Sequence, residues 1–564
     1  MKKFWWKEGI GYQIYVRSFK DTSGDGIGDI KGVIQSLDYL QDLGVNILYL
    51  NPINESPNDD NGYDISNFRT IMKEYGSLED FNSLVKEAHE RGMYMVMDLV
   101  INHTSDEHPW FIESRKNNNK YRDFYVWKKG KNGEPPNNWG SFFGGSAWEY
   151  DDTTEEYYLH IFSKKMPDLN WDNNEVRKEM HQVIKYWTDL GVDGFRLDAI
   201  NHIAKDTSYP DGPVGKDKIY GDFLKYVQNI PRVHDYIREL REEVLPGDDI
   251  VLIGETGGIN YKTADIYTGI DRNELHMVFH FDFHSVGKGE KPWERKPIDL
   301  VKDIKEKMSG WQNRQVEEGW QPLFYSNHDT TRTLSRLGDE ERYPEESAKM
   351  LALLQFTQRG TPFIYYGDEI GMTNPKEFSL EDYRDVSVFN NYREQVEEGR
   401  VSHEDYLKGL YYISRDNSRT PMQWDDTEGA GFTDGIPWMK VNDNYKEVNV
   451  REQQERSSSI LSFYKRLTAL RKGTPALIYG DFKDLLKEHK EVYCYLRTHG
   501  KETYLIMVNF FSGSPKVNIP EKALIKDMKV VMSNYDSEVS IDEGCLQLRP
   551  YEAAVYKLDN GAIN

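Results

Sequence analysis

The 564-residue sequence predicts an α/β protein: a TIM (β/α)8 barrel with a subdomain inserted after its third strand and a C-terminal antiparallel β domain. Three observations predict it. Short apolar runs alternate with amphipathic helical stretches, the pattern of a parallel sheet with helical crossovers. That rhythm breaks between about 104 and 171, in a stretch rich in Asn, Gly, Trp and Tyr. After about Gly480 it gives way to strand-like runs without helices between them.

The elements follow in order. GIGYQIYVRSF is the first strand, and DIKGVIQSLDYLQDLG is a helix with apolar positions at Ile30, Val33, Ile34, Leu37, Leu40 and Leu43. VNILYLNP is the second strand. The helix SLEDFNSLVKEAHERG opens on Ser77 with Asp80 three residues on, an acidic variant of the capping box. MYMVMDLVINH is the third strand. Beyond the insertion come helix EVRKEMHQVIKYWTDLG, strand VDGFRLDAI, helix DYIRELREEVL and strand DIVLIGET. HMVFHFDF, PLFYSNHD and TPFIYYGDEIG complete eight strands, with helices PIDLVKDIKEKMSGWQ and ESAKMLALLQFTQRG between them. Eight such strands close a barrel. An excursion from about 372 to 437 decorates the eighth strand, and SSSILSFYKRLTALRKG closes the ring. EVYCYLRTH, TYLIMVNFF, MKVVMSNY and AAVYKL alternate as antiparallel strands do. The expected division is a barrel over 1–103 and 172–479, an inserted subdomain over 104–171 and a β domain over 480–564.

Bulk composition narrows the function. With 71 Lys+Arg against 94 Asp+Glu, the net charge is -23. Such a surface repels nucleic acid and anionic membrane and suits a small neutral substrate. Aromatics make up 13% of the chain, with 13 Trp and 37 Tyr, enough to supply ring faces for sugars. The two cysteines, Cys494 and Cys545, read as free thiols of a reducing compartment. MKKFWWKEGIGYQIY lacks the apolar core of a signal peptide, and no run approaches the roughly 20 apolar residues of a membrane span. The expectation is a cytoplasmic monomer or dimer with no nucleic-acid or membrane partner.

In this fold the C-terminal ends of the strands face the active site. The third strand ends in Asp98, followed by Asn102 and His103; the fourth in Arg196 and Asp198; the fifth in Glu255; the seventh in His328 and Asp329. Any one of these charges alone reads equally well as a structural ion pair. Together they point to glycosidic cleavage, which needs two carboxyl groups in opposed roles. Arg196 and Asp198 share a strand face, so the cation is expected to keep Asp198 ionised. Glu255 follows the apolar run VLIG, an environment expected to keep it protonated. Asp329 beside His328 is placed to bind hydroxyls and restrain a distorted ring.

The blocks DLVINH, GFRLDAI, GET and NHD, in that order, resemble those of the α-amylase family, glycoside hydrolase family 13. WWKEGIGYQIY, SPNDDNGYDIS, NHTSDEHPWF, PDLNW and SRDNSRTPMQW extend the resemblance to its α-glucosidase and oligo-1,6-glucosidase branch. The resemblance implies a retaining double displacement, with Asp198 as nucleophile, Glu255 as acid/base and Asp329 as transition-state stabiliser. It also implies that Asp60, Tyr63, His103, Phe162, Arg196, His328 and Arg415 hold the terminal glucose. Asp60 and Arg415 would close the pocket around one sugar and make cleavage exo. Members favouring α-1,6 bonds look to carry Val after the nucleophile and EMPG at the acid. Here Ala199 follows Asp198, and the acid block is Glu255-Thr256-Gly257-Gly258. The smaller residue implies that maltose-type α-1,4 substrates are cleaved at least as well as isomaltose. The alternatives within the resemblance are an isomaltase, a sucrose isomerase or a trehalose-6-phosphate hydrolase; a different class would be an inactive binding or transporter-accessory relative. Met166 stands where the family's QPDLN block has Gln, and Val16 where a Pro is usual, departures that bear on specificity and packing.

DTSGDGIGD sets oxygen donors at alternate positions: Asp21, Ser23, Asp25, the Ile27 carbonyl and Asp29. This is the spacing of a calcium loop. Its place after the first strand suggests a structural Ca2+ rather than a catalytic one. No organic cofactor is expected.

Overall fold

The computed structural model describes residues 4–558 except 117–118, 217, 290, 292–293, 315–318, 520–527, 537–539 and 543–544. The first three residues of the N-terminal stretch and the last six of the expected β domain lie outside the described residues. Eight parallel strands form the barrel: β1 (Gly11–Ile14), β2 (Ile47–Leu50), β3 (Tyr94–Val100), β4 (Gly194–Asp198), β5 (Val251–Glu255), β6 (Met277–Phe279), β7 (Pro322–Leu323) and β8 (Thr361–Tyr365). Their order is β6-β5-β4-β3-β2-β1-β8-β7. The two end strands lie against each other and close the ring.

Strand periodicity sorts the side chains into two layers. Tyr49, Val96, Val251, Ile253, Met277, Phe279 and Phe363 fill the barrel interior, with Trp6 and Trp320 in the same cluster. The alternate residues, among them Leu48, Met97, Leu99, Phe195, Leu197 and Leu252, pack outward in the core shared with the helices. The same alternation carries Asp98, Arg196, Asp198 and Glu255 to the inside, one step beyond the last apolar layer.

The capping box forms as expected: Asp80 N–H donates to Ser77 Oγ at 3.2 Å, and Ser77 N–H to Asp80 Oδ2 at 3.0 Å. The helix it starts, Leu78–Glu90, buries Phe81, Leu84, Val85 and Ala88. Two helices differ from expectation. The first divides at Ser36 into Ile30–Gln35 and Leu37–Asp42, where Ser36 Oγ donates back to Gly32 O at 2.8 Å. Such back-bonding bends helices. The stretch after β6 opens as a π turn, Leu300–Lys305, before its α-helix Glu306–Gln312.

The inserted segment builds an antiparallel sheet from Trp127–Lys128, Trp148–Asp151 and Glu156–Leu159, beside the α-helix Pro109–Arg115 and the 3-10 turn Arg122–Phe124. A buried lysine pins it to the barrel. Lys205 Nζ lies 2.8 Å from Asp168 Oδ2 and 2.9 Å from Asn102 Oδ1. At the other end, β9 (Asp481–Asp484), β10 (Val492–His499), β11 (Glu502–Asn509), β12 (Met528–Ser533) and β13 (Ala553–Leu558) form an antiparallel sheet ordered β9-β10-β11-β13-β12. Arg497 of β10 anchors it by donating to Gln312 Oε1 and Gly480 O at 2.9 and 2.8 Å. Among the described residues, no helix is long and apolar enough to cross a membrane.

Candidate active site

The register of β3, β4 and β5 sets Arg196 opposite both Asp98 and Ile253, and Asp198 opposite Val100. One guanidinium therefore meets three carboxylates. Arg196 Nη1 lies 2.8 Å from Asp98 Oδ1 and 2.6 Å from Asp198 Oδ1, while Nη2 lies 2.8 Å from Glu255 Oε2. Asp98 also accepts from the hydroxyls of Tyr49 and Tyr63, each at 2.9 Å.

Sharing one cation among three acids corrects the expectation for Asp198. Burial pushes its carboxyl well above the usual range, and Glu255, Asp98 and Asp329 push the same way against the pull of Arg196. The surroundings of Glu255 are also more polar than the run VLIG implied. Its Oε2 accepts from Arg196 and from the Ala199 backbone N–H, the latter at 3.0 Å. Ala199 reaches it by adopting a left-handed conformation, φ 46 and ψ 30.

On the opposite wall, Gln13 Nε2 donates to His328 Nδ1 at 3.0 Å. The other ring nitrogen, Nε2, faces Tyr63 Oη at 2.5 Å and Asp329 Oδ2 at 2.9 Å. Arg415 closes this end. It contacts Asp60 at 2.9 Å and Asp329 at 3.2 Å, and grips both oxygens of Asp385 at 2.6 and 2.8 Å. Arg419 adds a 3.2 Å contact to Asp329. Burial alone would raise Asp329, but His328, Arg415 and Arg419 hold it well below the usual carboxylate range. Burial does win at Asp60, which is pushed up to about 7 even though Arg415 and Arg419 oppose it. His103 donates no charge: burial, then Lys205, lowers it to about 3, and its ring lies 5.3 Å from that of Phe162.

Asp198, Glu255 and Asp329 line one cavity of about 880 Å³, together with Asp60, Tyr63, His103 and Phe162. Ala199, His328 and Arg415 line it too, and Arg196 lies buried directly behind the carboxylates. The volume is that of a site for a ligand well beyond one sugar ring. Asp60 and Arg415 lie together at one end of it. Sequence reading missed several residues here. Arg419 and Asp168 sat inside quoted motifs, SRDNSRTPMQW and PDLNW, without an assigned role. Asp385 had no local signal in the acidic excursion. Phe142 and Phe143, both on the cavity wall, were hidden in the aromatic-rich insertion.

The Asp21–Asp29 loop lies apart from this cavity. Asp21 accepts from the N–H groups of Ser23, Gly24 and Gly26 at 2.8 to 2.9 Å and from the Thr433 hydroxyl at 2.5 Å. Asp29 caps the helix Ile30–Gln35 through Gly32 N–H at 2.7 Å. Asp25 accepts from Ile27 N–H at 2.9 Å. The donor set is all oxygen and suits a hard cation. Its carboxylates are held by the loop's own donors and by the Thr433 hydroxyl; among the described residues, the gathered trio of metal-ligand types is His181, Glu239 and Glu243, on two outer helices.

A family model described as the α-amylase catalytic domain matches residues 13–480, and the α-amylase SusG C-terminal domain matches 492–555. The chain is 49% identical to an oligo-1,6-glucosidase of Parageobacillus thermoglucosidasius, over 99% of this chain and 100% of the relative. A trehalose-6-phosphate hydrolase of Bacillus licheniformis superposes with a TM-score of 0.91 at 42% identity, covering 99% and 100% of the two chains. An isomaltulose synthase of Protaminobacter rubrum gives 0.93 at 40% identity with the same coverage. The barrel, its mouthful of carboxylates and these likenesses agree: the chain belongs to the α-amylase family of glycoside hydrolases and is a glycosidase.

Proposed function

We propose that the protein is a retaining, exo-acting α-glucosidase that releases terminal glucose from short, neutral α-glucosides. The carrying observation is that Asp198 and Glu255 meet on one guanidinium inside a cavity whose far end is clamped by Arg415 on Asp60 and Asp329. In this reading Asp198 attacks the anomeric carbon while Glu255 gives its proton to the departing oxygen. The mechanism requires the proton on Glu255 and an ionised Asp198 beside Arg196. Glu255 then takes a proton from water as that water opens the glucosyl-Asp198 ester, so the α configuration is kept. Asp329, held ionised by His328, Arg415 and Arg419, faces the positive charge that develops on the ring. Asp60, Tyr63, His103, Phe162, His328 and Arg415 hold the glucose.

The test is Asp198→Asn. Turnover of an aryl α-glucoside should fall by at least ~10⁴-fold, the scale of losing a nucleophile, and the wild type should release α-glucose first by NMR. Release of β-glucose, or an active Asp198→Asn protein, would end the reading.

For linkage, the small side chain of Ala199 supports α-1,4 cleavage at least as fast as α-1,6. The second reading is α-1,6 preference, favoured by the likeness to a protein named oligo-1,6-glucosidase. Initial rates on maltose and isomaltose separate them.

The alternate oxygen donors of the loop support a structural Ca2+ on Asp21, Ser23, Asp25, Ile27 and Asp29. Two cysteines without a disulfide, Cys494 and Cys545, support a reducing, cytoplasmic compartment.

A further inference from the structure

We infer that Gln13 is a positioning residue for the reaction: its buried amide fixes how His328 and, through Asn51, Tyr63 stand in the cavity wall. This rests on the glucosidase reading and adds a residue to the same site.

Gln13 pairs with Tyr49 in the β1–β2 register, so its side chain takes the same inward face of the barrel. Asn51 follows Tyr49 by two residues and keeps that face, its N–H donating to Ile14 O at 3.1 Å. Both side chains are buried, Gln13 at 4% exposure and Asn51 at 2%. The backbone of Gln13 is held as well, since its carbonyl accepts from Tyr366 N–H at 3.1 Å.

A side-chain amide carries two hydrogens on its nitrogen. Gln13 donates to Asn51 Oδ1 and to His328 Nδ1, each at 3.0 Å. Asn51 passes the contact on, its Nδ2 donating to Tyr63 Oη at 2.9 Å. Tyr63 Oη in turn lies 2.5 Å from His328 Nε2. The four side chains close a ring drawn from β1, the end of β2, the loop after it and the segment after β7. Within it the planes of Tyr63 and His328 are 6° apart, with centroids at 5.1 Å. These two rings line the cavity, and Gln13 and Asn51 stand behind them.

An apolar side chain of the same length would leave His328 Nδ1 and Asn51 Oδ1 without those hydrogens, and an unpaired buried acceptor is destabilising. Relief comes from turning the imidazole or the asparagine amide, and either motion disturbs Tyr63. His328 Nε2 also lies 2.9 Å from Asp329 Oδ2, so the disturbance reaches a carboxylate of the site.

Gln13→Met keeps the length and removes the hydrogens. It should lower kcat/KM on maltose about tenfold, the scale of one lost buried hydrogen bond. Placed in a His328→Ala protein, it should lower kcat/KM less than about threefold, because the imidazole it acts through is gone. A residue that only stabilises the barrel would lower Tm without slowing the folded enzyme. Wild-type kcat/KM in Gln13→Met, or equal losses in the two backgrounds, would therefore overturn the inference. Should Gln13→Met fail to fold, Gln13→Glu takes its place. A carboxyl group donates at most one hydrogen, so a loss of at least about threefold is expected, and wild-type activity would overturn the inference equally.

Calorimetric binding of the glucose mimic 1-deoxynojirimycin separates this claim from the glucosidase reading. The folded Gln13 variant should bind it at least about threefold more weakly than wild type. That result upholds the positioning role even if the wild type cleaves no α-glucoside. Unchanged binding defeats it even if the enzyme is active.

Discussion

The backbone N–H of Ala199 donates to Glu255 Oε2 across 3.0 Å. The residue after the proposed nucleophile thus helps to orient the proposed acid, and its left-handed backbone makes the contact. A β-branched residue is a poor occupant of that conformation.

Ala199→Val is expected to destabilise the fold by about 1–3 kcal/mol. By crowding the leaving-group side it should also shift the maltose-to-isomaltose rate ratio toward isomaltose. Thermal melts and initial rates on the two disaccharides check both parts; an unchanged ratio removes Ala199 as a linkage determinant.

Arg415 balances Asp60, Asp329 and Asp385. Arg415→Ala strands these buried acids, and removing one partner of a buried, hydrogen-bonded charge pair costs about 2–5 kcal/mol. The expected outcome is a rise in KM of at least ~30-fold on maltose, with weaker inhibition by 1-deoxynojirimycin. An unaltered KM would show that the clamp does not touch the terminal glucose.

Glu369 is buried between the hydroxyls of Tyr12 and Tyr39, at 2.7 and 2.8 Å. Burial pushes its carboxyl from the ordinary 4.5 up to about 7. Between those values the folded state holds a proton that the unfolded chain releases. Its contribution is therefore fully present below about pH 4.5, is lost as pH rises toward 7, and is constant above. The full swing is on the order of 3 kcal/mol. Glu369→Gln should flatten the decline in Tm between these limits relative to wild type; parallel Tm–pH curves would contradict this.

Calcium at the Asp21–Asp29 loop would stabilise the folded state by mass action, by about 2.7 kcal/mol at a hundredfold excess over Kd. Excess chelator should lower the Tm and added Ca2+ should restore it. Asp25→Ala, which removes an exposed loop acid, should abolish the difference. A Tm indifferent to chelator, with no metal in the purified protein, would rule out the site.

The barrel and most of its mouth were legible in the sequence, because a strand's two-residue period and the C-terminal-end rule are local properties. They sent Asp98, Arg196, Asp198 and Glu255 inward without reference to anything remote. What only the tertiary structure decided was the company each group keeps. Asp385 meets Arg415 from 30 residues away, and Asp60 meets it from 355. The proton affinities of Asp198, Asp60 and Asp329 depend on burial and on charges delivered by other elements, so a favourable neighbour two residues along could not settle them. Distance along the chain carries no electrostatic information; distance through a buried cavity does.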